Sequence, residues 1–315
     1  MKNKLFIFVM FIFSLFLFTS CNQRKNVIGS GEVKEFSYQS QSNIESIRIS
    51  DIRIVNNTKI LPVIVDIDSN TEKKISIFSQ KEVYDSMSIT SSFGQLLITG
   101  SSNVNYVAES IRIYISGYTL SSLYFELSSV NVKANALDDD VSFNLNYASD
   151  VTLDYYKGTR FRASLSSNSS MEIEKLELSS LVNLNLKEKS SIHSGEITAQ
   201  EARVTLDNES MMQFLSKNIQ NSFFTLYGNS IIQVSGNSNA LDLVMSDGKY
   251  NGRNNEIDHV VINIGYGKSE VLVHAISSIH VNSALGDCKV IYYGGNPMVT
   301  KNDISGNVVI ENGEI

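Results

Sequence analysis

Between Val141 and Val234 apolar and polar residues alternate, and the alternation returns to the same phase about every 20 residues. Leu145, Leu165, Leu186, Leu206 and Leu226 mark the repeat. Four residues after each leucine stands a serine (Ser149, Ser169, Ser190, Ser210, Ser230), and two residues further on a large apolar side chain (Val151, Met171, Ile192, Met212, Ile232). Two residues before each leucine are Phe143, Ala163, Leu184, Val204 and Phe224. A period of two turns one face to a core and the other to water. One unit therefore predicts a strand, a short polar turn rich in Asn and Ser, and a second strand. The unit is too short for a strand, a long helix and their turns, and no helical period runs through it. Matching residues at a fixed interval predict a solenoid, in which each unit buries its face against its neighbours. One β-helix coil of two or three short strands fits the interval.

The flanks carry looser versions of the pattern. Leu241–Met245, Val260–Ile264, Val271–Val273, Ile279–Val281 and Cys288–Ile291 continue it toward the end of the chain. The polar segment YNGRNNEID, residues 250–258, reads as a loop bulging from one coil. Before the repeat, Ile47 and Ile49 alternate, as do Ile52 and Ile54, with a one-residue shift that predicts a bend or bulge at Ser50-Asp51. Residues 81–87 fit one or two helical turns. With coils of ~20–22 residues, about 13 fit the chain, giving a rod on the order of 60 Å long at the β-strand spacing.

Composition sharpens this all-β reading. The chain of 315 residues has two prolines and no tryptophan. Ser, Asn, Ile, Val and Leu favour strands and polar turns. The net charge is −7, and −9 without residues 1–20, which hold Lys2 and Lys4 and no acid. Acid spread over the chain argues against a nucleic-acid partner. Residues 1–20 read as a signal peptide: a basic start, an apolar run from Leu5 to Phe18, then small polar residues before Cys21. Leu17-Phe18-Thr19-Ser20-Cys21 resembles a bacterial lipobox, with Phe18 where Leu is usual. That resemblance implies cleavage before Cys21, a diacylglycerol on its sulfur, further acylation of the palmitate type, and membrane anchoring. Residues 21–25 then form the lipidated cysteine and a short tether, and 26–315 one folded domain. The charges after Cys21 are basic (Arg24, Lys25), which points to the periplasmic side of the outer membrane rather than the cell surface. Cys288, the second cysteine, is left without an intrachain partner, so no disulfide framework is expected.

Several segments, in order, carry a family resemblance. They are Gly29-Ser30-Gly31, ESIRISDIRI (45–54), SSFGQLLITG (91–100), SIRIYISGYTLSSLYFELSSVNV (110–132) and a C-terminal Tyr292-Tyr293-Gly294-Gly295-Asn296-Pro297 followed by Ser305-Gly306. The chain resembles the head GIN domain family of auto-transporter adhesins, common in Bacteroidetes lipoproteins, over about residues 26–315. It departs from the family at Asp51-Ile52-Arg53, where the name-giving Gly-Ile-Asn is expected. The resemblance implies a single-stranded right-handed parallel β-helix and no established activity.

Candidate chemistry is sparse. Asp138-Asp139-Asp140 is the sharpest acidic cluster, with Lys157, Arg160 and Arg162 one coil further on. β-Helix polysaccharide lyases use acids with calcium and a basic proton abstractor. Three consecutive aspartates on a strand alternate faces and do not converge on one ion, so a solvated turn is the plainer reading. His193, His259, His274 and His280 lack metal-ligand spacing. Tyr155-Tyr156 and Tyr292-Tyr293 offer sugar-stacking rings, or one packed and one surface ring each. The turn serines read as a hydrogen-bonded ladder ahead of a glycan site. No nucleophile elbow, phosphate loop or zinc-protease motif occurs. The expectation is therefore a non-enzymatic cell-envelope lipoprotein, an adhesin or scaffold presenting an extended surface to a glycan or envelope protein. It has no catalytic or metal residue, no cofactor, and Cys21 as its modified residue. The competing class is a carbohydrate-active β-helix enzyme, a polysaccharide lyase or glycoside hydrolase. That class needs at least two carboxylates within catalytic reach in one groove, whereas a smooth Asn/Ser/Thr face indicates a binder.

Overall fold

The computed structural model describes residues 24–313 except 41, 128, 135 and 136. The expected signal peptide and Cys21 lie outside the described residues. In chain order the elements before the repeat are β1 (Lys25–Ile28), β2 (Lys34–Tyr38), β3 (Ser46–Ser50), β4 (Ile54–Asn56), β5 (Lys59–Leu61), β6 (Val63–Asp68), β7 (Lys74–Ser79), helix α1 (Lys81–Asp85), β8 (Ser88–Ser92), β9 (Gln95–Thr99), β10 (Val104–Val107), β11 (Ile111–Ser116), β12 (Leu120–Glu126) and β13 (Val130–Ala134). The repeat region continues as β14 (Leu137–Asn146), β15 (Asp150–Leu165), β16 (Ser170–Leu186), β17 (Ser191–Thr198), β18 (Glu201–Leu206), β19 (Met211–Ile264), β20 (Lys268–Tyr293) and β21 (Met298–Asn312).

From β12 onward the chain is a parallel β-helix, as the repeat predicts. Leu145 pairs with Leu165, Leu165 with Leu186, Leu186 with Leu206 and Leu206 with Leu226, all in parallel register. Every one of these leucines is buried, as are Phe143, Leu184, Val204 and Phe224 two residues ahead. Burying each such side chain is worth about 1.5–3 kcal/mol, so the repeated unit is the stabilising unit.

Residues before β12 do not wind in simple sequence. β3 pairs in parallel with both β9 and β12, and β6 with both β11 and β13. The rung made by β3, β4 and β6 therefore sits between the rung of β9–β11 and the rung of β12–β13. The chain makes one rung, runs back to lay the next on its N-terminal side, and then crosses to the other side. The backward passage is antiparallel: β7 pairs against β11 and β2, and β8 against β9. Helix α1, with Val83 buried, joins β7 to β8 and closes this end of the rod. The expectation of about 13 successive coils is thereby corrected to about ten turns. Hairpins and the cap consume chain without adding a coil, and the rod shortens to about 50 Å.

The shift between the two isoleucine pairs is a left-handed Asp51 (φ 58°) between β3 and β4, which lets Ile47, Ile49, Ile52 and Ile54 all face inward. Residues 250–258 do not leave the coil as a loop. They lie within β19, with Tyr250, Asn255 and Ile257 buried, and a register shift between Gly252 and Glu256 leaves Arg253 and Asn254 outside. The polarity of the segment suggested a loop, whereas its Tyr and Ile are core residues.

The corner after each leucine explains the serines. Two consecutive residues there adopt left-handed φ: Tyr147/Ala148, Ser167/Asn168, Glu188/Lys189, Asn208/Glu209 and Gly228/Asn229, all between 53° and 63°. This backbone costs an L-residue roughly 1–2 kcal/mol. Stacking offsets the cost. Each corner donates to the next along the rod, through Ala148 N–H to Ser167 O, Asn168 N–H to Glu188 O, Lys189 N–H to Asn208 O (each 2.9 Å) and Glu209 N–H to Gly228 O (2.8 Å). The following serine is fully buried and its hydroxyl donates to the carbonyl three residues back, at 2.6–2.7 Å for Ser149, Ser169, Ser190, Ser210 and Ser230. The serine column is thus a ladder that closes each corner. Cys288 extends it: its buried Sγ donates to Leu285 O, again three residues back, at 3.3 Å.

Candidate binding face

The strands that carry the leucine column turn the intervening residues to solvent. One residue before each leucine are Asn144, Ser164, Asn185, Thr205 and Thr225, in unbroken parallel register. Arg48 and Tyr124 extend this column toward the capped end. Two residues further back runs a second column: Ser142, Arg162, Asn183, Arg203 and Phe223. Neighbouring rungs are about 4.8 Å apart, so amide and hydroxyl groups recur at that interval along one flat face.

Several charged groups on this face are paired. Asp140 takes Arg162 at 2.5 Å and Arg160 at 2.7 Å. Arg203 pairs with Glu201 and lies over the Phe223 ring, 5.6 Å from its centre. At the capped end Arg48 sits 4.5 Å over the Tyr124 ring and bonds Glu126 at 2.9 Å. The Tyr124 hydroxyl donates to Glu126 at 2.7 Å and accepts from Asn146 Nδ2 at 3.2 Å. Partial burial pushes the Glu126 carboxyl up, but the Tyr124 hydroxyl and the Arg48 guanidinium outweigh it and hold it below the usual carboxylate range. What results is a polar face with fixed side chains. Phe223 and Tyr227 are its half-exposed rings.

The sequence-derived candidates fall mostly elsewhere. Asp138–Asp140 belong to β14 rather than to a turn, and Asp140 is the member held between guanidinium groups. Lys157 stands opposite Glu177 on the next rung. Tyr156 is buried and donates to Asp138 O at 2.7 Å, whereas Tyr155 is exposed and bonds Glu177 at 2.8 Å. Tyr293 is buried and Tyr292 partly so. His259 bonds Ser278 at 3.0 Å, His280 bonds Thr300 and Asn302, and His193 is exposed. His274 lines an open cleft of about 530 Å³ with Arg253, Glu256 and Tyr293, whose ring carries Arg253 at 4.7 Å. Among the described residues no three His, Cys, Asp or Glu side chains gather as a metal site. The outward columns went unremarked in the sequence because Asn, Ser and Thr at strand positions look like filler. The signal was their constant offset from the leucines.

A family comparison bears on this region. The model described as "Putative auto-transporter adhesin, head GIN domain" matches residues 174–297. Residues 174–297 are thus similar to the head GIN domain family. No curated protein matches the sequence. Solved structures align over nearly their whole length at low identity. A putative adhesin from Parabacteroides merdae is 14% identical, with 92% of this chain and 100% of that one covered and a TM-score of 0.41. A putative lipid binding protein from Parabacteroides distasonis gives 14%, 92%, 100% and 0.46. A putative adhesin from Bacteroides fragilis gives 11%, 91%, 99% and 0.31. The fold here rests on the strand pairing itself. The matched segment holds the Asn183 to Phe223 half of the outward face. It also holds most of an open cleft of about 750 Å³ beside the corners, lined by Lys249, Lys268, Lys289, Glu270 and Asp287.

Proposed function

We propose that the chain is a non-enzymatic cell-envelope lipoprotein of adhesin type, held by an acylated Cys21. It binds an extended glycan along the outward face rather than in a pocket. The observation that carries this reading is the unbroken Asn144–Ser164–Asn185–Thr205–Thr225 column. Amides and hydroxyls both donate and accept, which suits the hydroxyl-rich edge of a sugar chain. The rung interval of about 4.8 Å repeats the same groups along the polymer. Phe223 and Tyr227 supply apolar surface for sugar rings. The family description as an adhesin supports envelope association. Against hydrolysis or elimination, the best-placed carboxylate, Asp140, is occupied by Arg160 and Arg162. The basic residues after Cys21 favour the periplasmic side.

The test pairs a glycan array with protease treatment of whole cells. Binding of an extended glycan is expected, reduced at least tenfold by Thr205→Glu combined with Thr225→Glu, both surface changes. Protection in intact cells and digestion after outer-membrane permeabilisation would fix the periplasmic side. Binding that survives the double substitution removes the face from the proposal. Digestion in intact cells reverses the orientation.

A further inference from the structure

We infer that the capped N-terminal end of the rod is a membrane-contact surface that seats on an anionic lipid bilayer, with Phe93 entering the lipid interface. This rests on the acylation of Cys21 proposed above. β1 pairs with β10 alone, and β8 with β9 alone. β9 and β10 belong to one rung, so β1 and β8 form one layer outside it, at the end closed by α1. Arg24 directly precedes β1. Two residues separate it from Cys21, so the lipid-bearing cysteine lies within about 11 Å of this layer. The bilayer can therefore reach this end of the rod. The last rung, β21, lies about ten turns away.

The layer exposes apolar groups where a soluble cap would not. Phe93 is 105% exposed and Ile28 65%. Phe93-Gly94 is the two-residue turn of the β8–β9 hairpin, with φ of 48° and 76°. Such a turn favours Asn, Asp or Gly at its first position, and a bulky residue there is strained. Phe93 therefore does not serve the turn. Placed at its tip and touching no core, it fits an aromatic side chain that enters a lipid interface. Charge agrees. Residues 24–40 and 69–94, which supply the end layer, hold six Lys and Arg against five Asp and Glu, while the whole chain holds 26 against 33. The acid excess lies on the rod. The end near the lipid carries none, so it is not repelled by an anionic leaflet. Acyl chains with a second, protein-borne contact also meet the two-signal requirement for firm anchoring.

The chain contains no tryptophan, so single probes are clean. Full-length acylated Phe93→Trp, Phe223→Trp and Val309→Trp variants would be placed in phosphatidylethanolamine–phosphatidylglycerol vesicles containing brominated lipid. Circular dichroism would confirm the fold, and mass spectrometry the lipid on Cys21. Trp at 93 is expected to shift to the blue and lose most of its emission. Trp at 223 and at 309 should keep theirs. Unquenched emission at 93 with the lipid present overturns this inference and leaves the anchor standing. Equal quenching at 93 and 223 also overturns it, because the rod then lies flat. Absence of the lipid mass overturns the anchor and this inference together.

Discussion

Two serines of one column should differ in what they contribute, because one hydroxyl serves the next rung and the other serves only its own corner. Ser190 donates to Lys187 O at 2.6 Å, and that carbonyl also accepts the Ser190 N–H at 3.2 Å. Ser190→Ala leaves the carbonyl with its second donor, so the loss is one hydrogen bond, about 1 kcal/mol. Ser149 donates at 2.6 Å to Asn146 O and lies within reach of Leu127 O and Phe125 O. It also accepts the Leu127 N–H at 3.0 Å. Ser149→Ala therefore loses the same donated bond and strands a buried N–H, which by itself costs about 1–3 kcal/mol. The expected total is ~2–4 kcal/mol. Urea unfolding followed by far-ultraviolet circular dichroism would measure both, with an unchanged slope showing that the unfolded states match. Hydrogen exchange should place the Ser149→Ala loss at the Leu127 amide. If Ser190→Ala costs as much as Ser149→Ala, or if the Leu127 amide keeps its protection, the account of the column as a set of unequal links is wrong.

Other outcomes follow from the same geometry. Cys288→Ser should stabilise the chain or leave it within about 1 kcal/mol, since a hydroxyl makes the bond to Leu285 O that the rest of the column makes. Burial, then the charge of Asp287, pushes the Cys288 thiol up, so in the folded protein it should resist thiol reagents at neutral pH and react on unfolding. Tyr156 and Tyr250 are raised well above the ordinary phenol range, Tyr156 by burial and then by Asp139, Asp140 and Asp138, Tyr250 by burial. Their contribution is complete below the ordinary phenol pKa of about 10 and is lost as pH rises through the folded value. Tyrosinate absorbance should accordingly show Tyr156 and Tyr250 ionising only with unfolding, and a normal titration of both would refute their burial. Deleting residues 187–206, one whole unit, joins Leu186 to Asp207 and should leave a folded rod about 4.8 Å shorter by small-angle scattering. Collapse of the whole fold would show that units are not exchangeable.

The repeat was legible because each of its rules has one physical cause. Leu145 to Leu226 stack since a parallel coil brings the same phase back to the same wall. Ser149 to Ser230 recur since each corner leaves a carbonyl that a short hydroxyl can reach. The left-handed corners were not legible. Tyr147-Ala148 and Glu188-Lys189 lack the Gly or Asn that usually marks such a backbone, which the stack imposes through corner-to-corner hydrogen bonds. Cys288 looked isolated because the count from apolar residue to column drifts after Leu226, even though Val290 follows it as Val151 follows Ser149. The outward face was hidden for a different reason. Its residues have no individual signature, and only the register makes Asn185, Thr205 and Thr225 neighbours.

The out-of-order winding near the N-terminus lay beyond any reading of periodicity, since alternation fixes which way a side chain points and not which rung lies next to which. Its consequence concerns how the rod can vary. The rung of β3, β4 and β6 has parallel partners on both sides, supplied by residues that follow it in the chain. It has no single neighbour whose removal leaves an intact edge, so the head behaves as one unit. β7, α1 and β8 cover the parallel edge of its outermost rung. Beyond β14 each rung contacts only the one before and the one after, which makes stability a sum over units and their interfaces. Units can then be gained or lost there without disturbing the head. The chain also enters the fold at that head. Chain entry and closure thus coincide at one end, and the length of polar face becomes adjustable at the other.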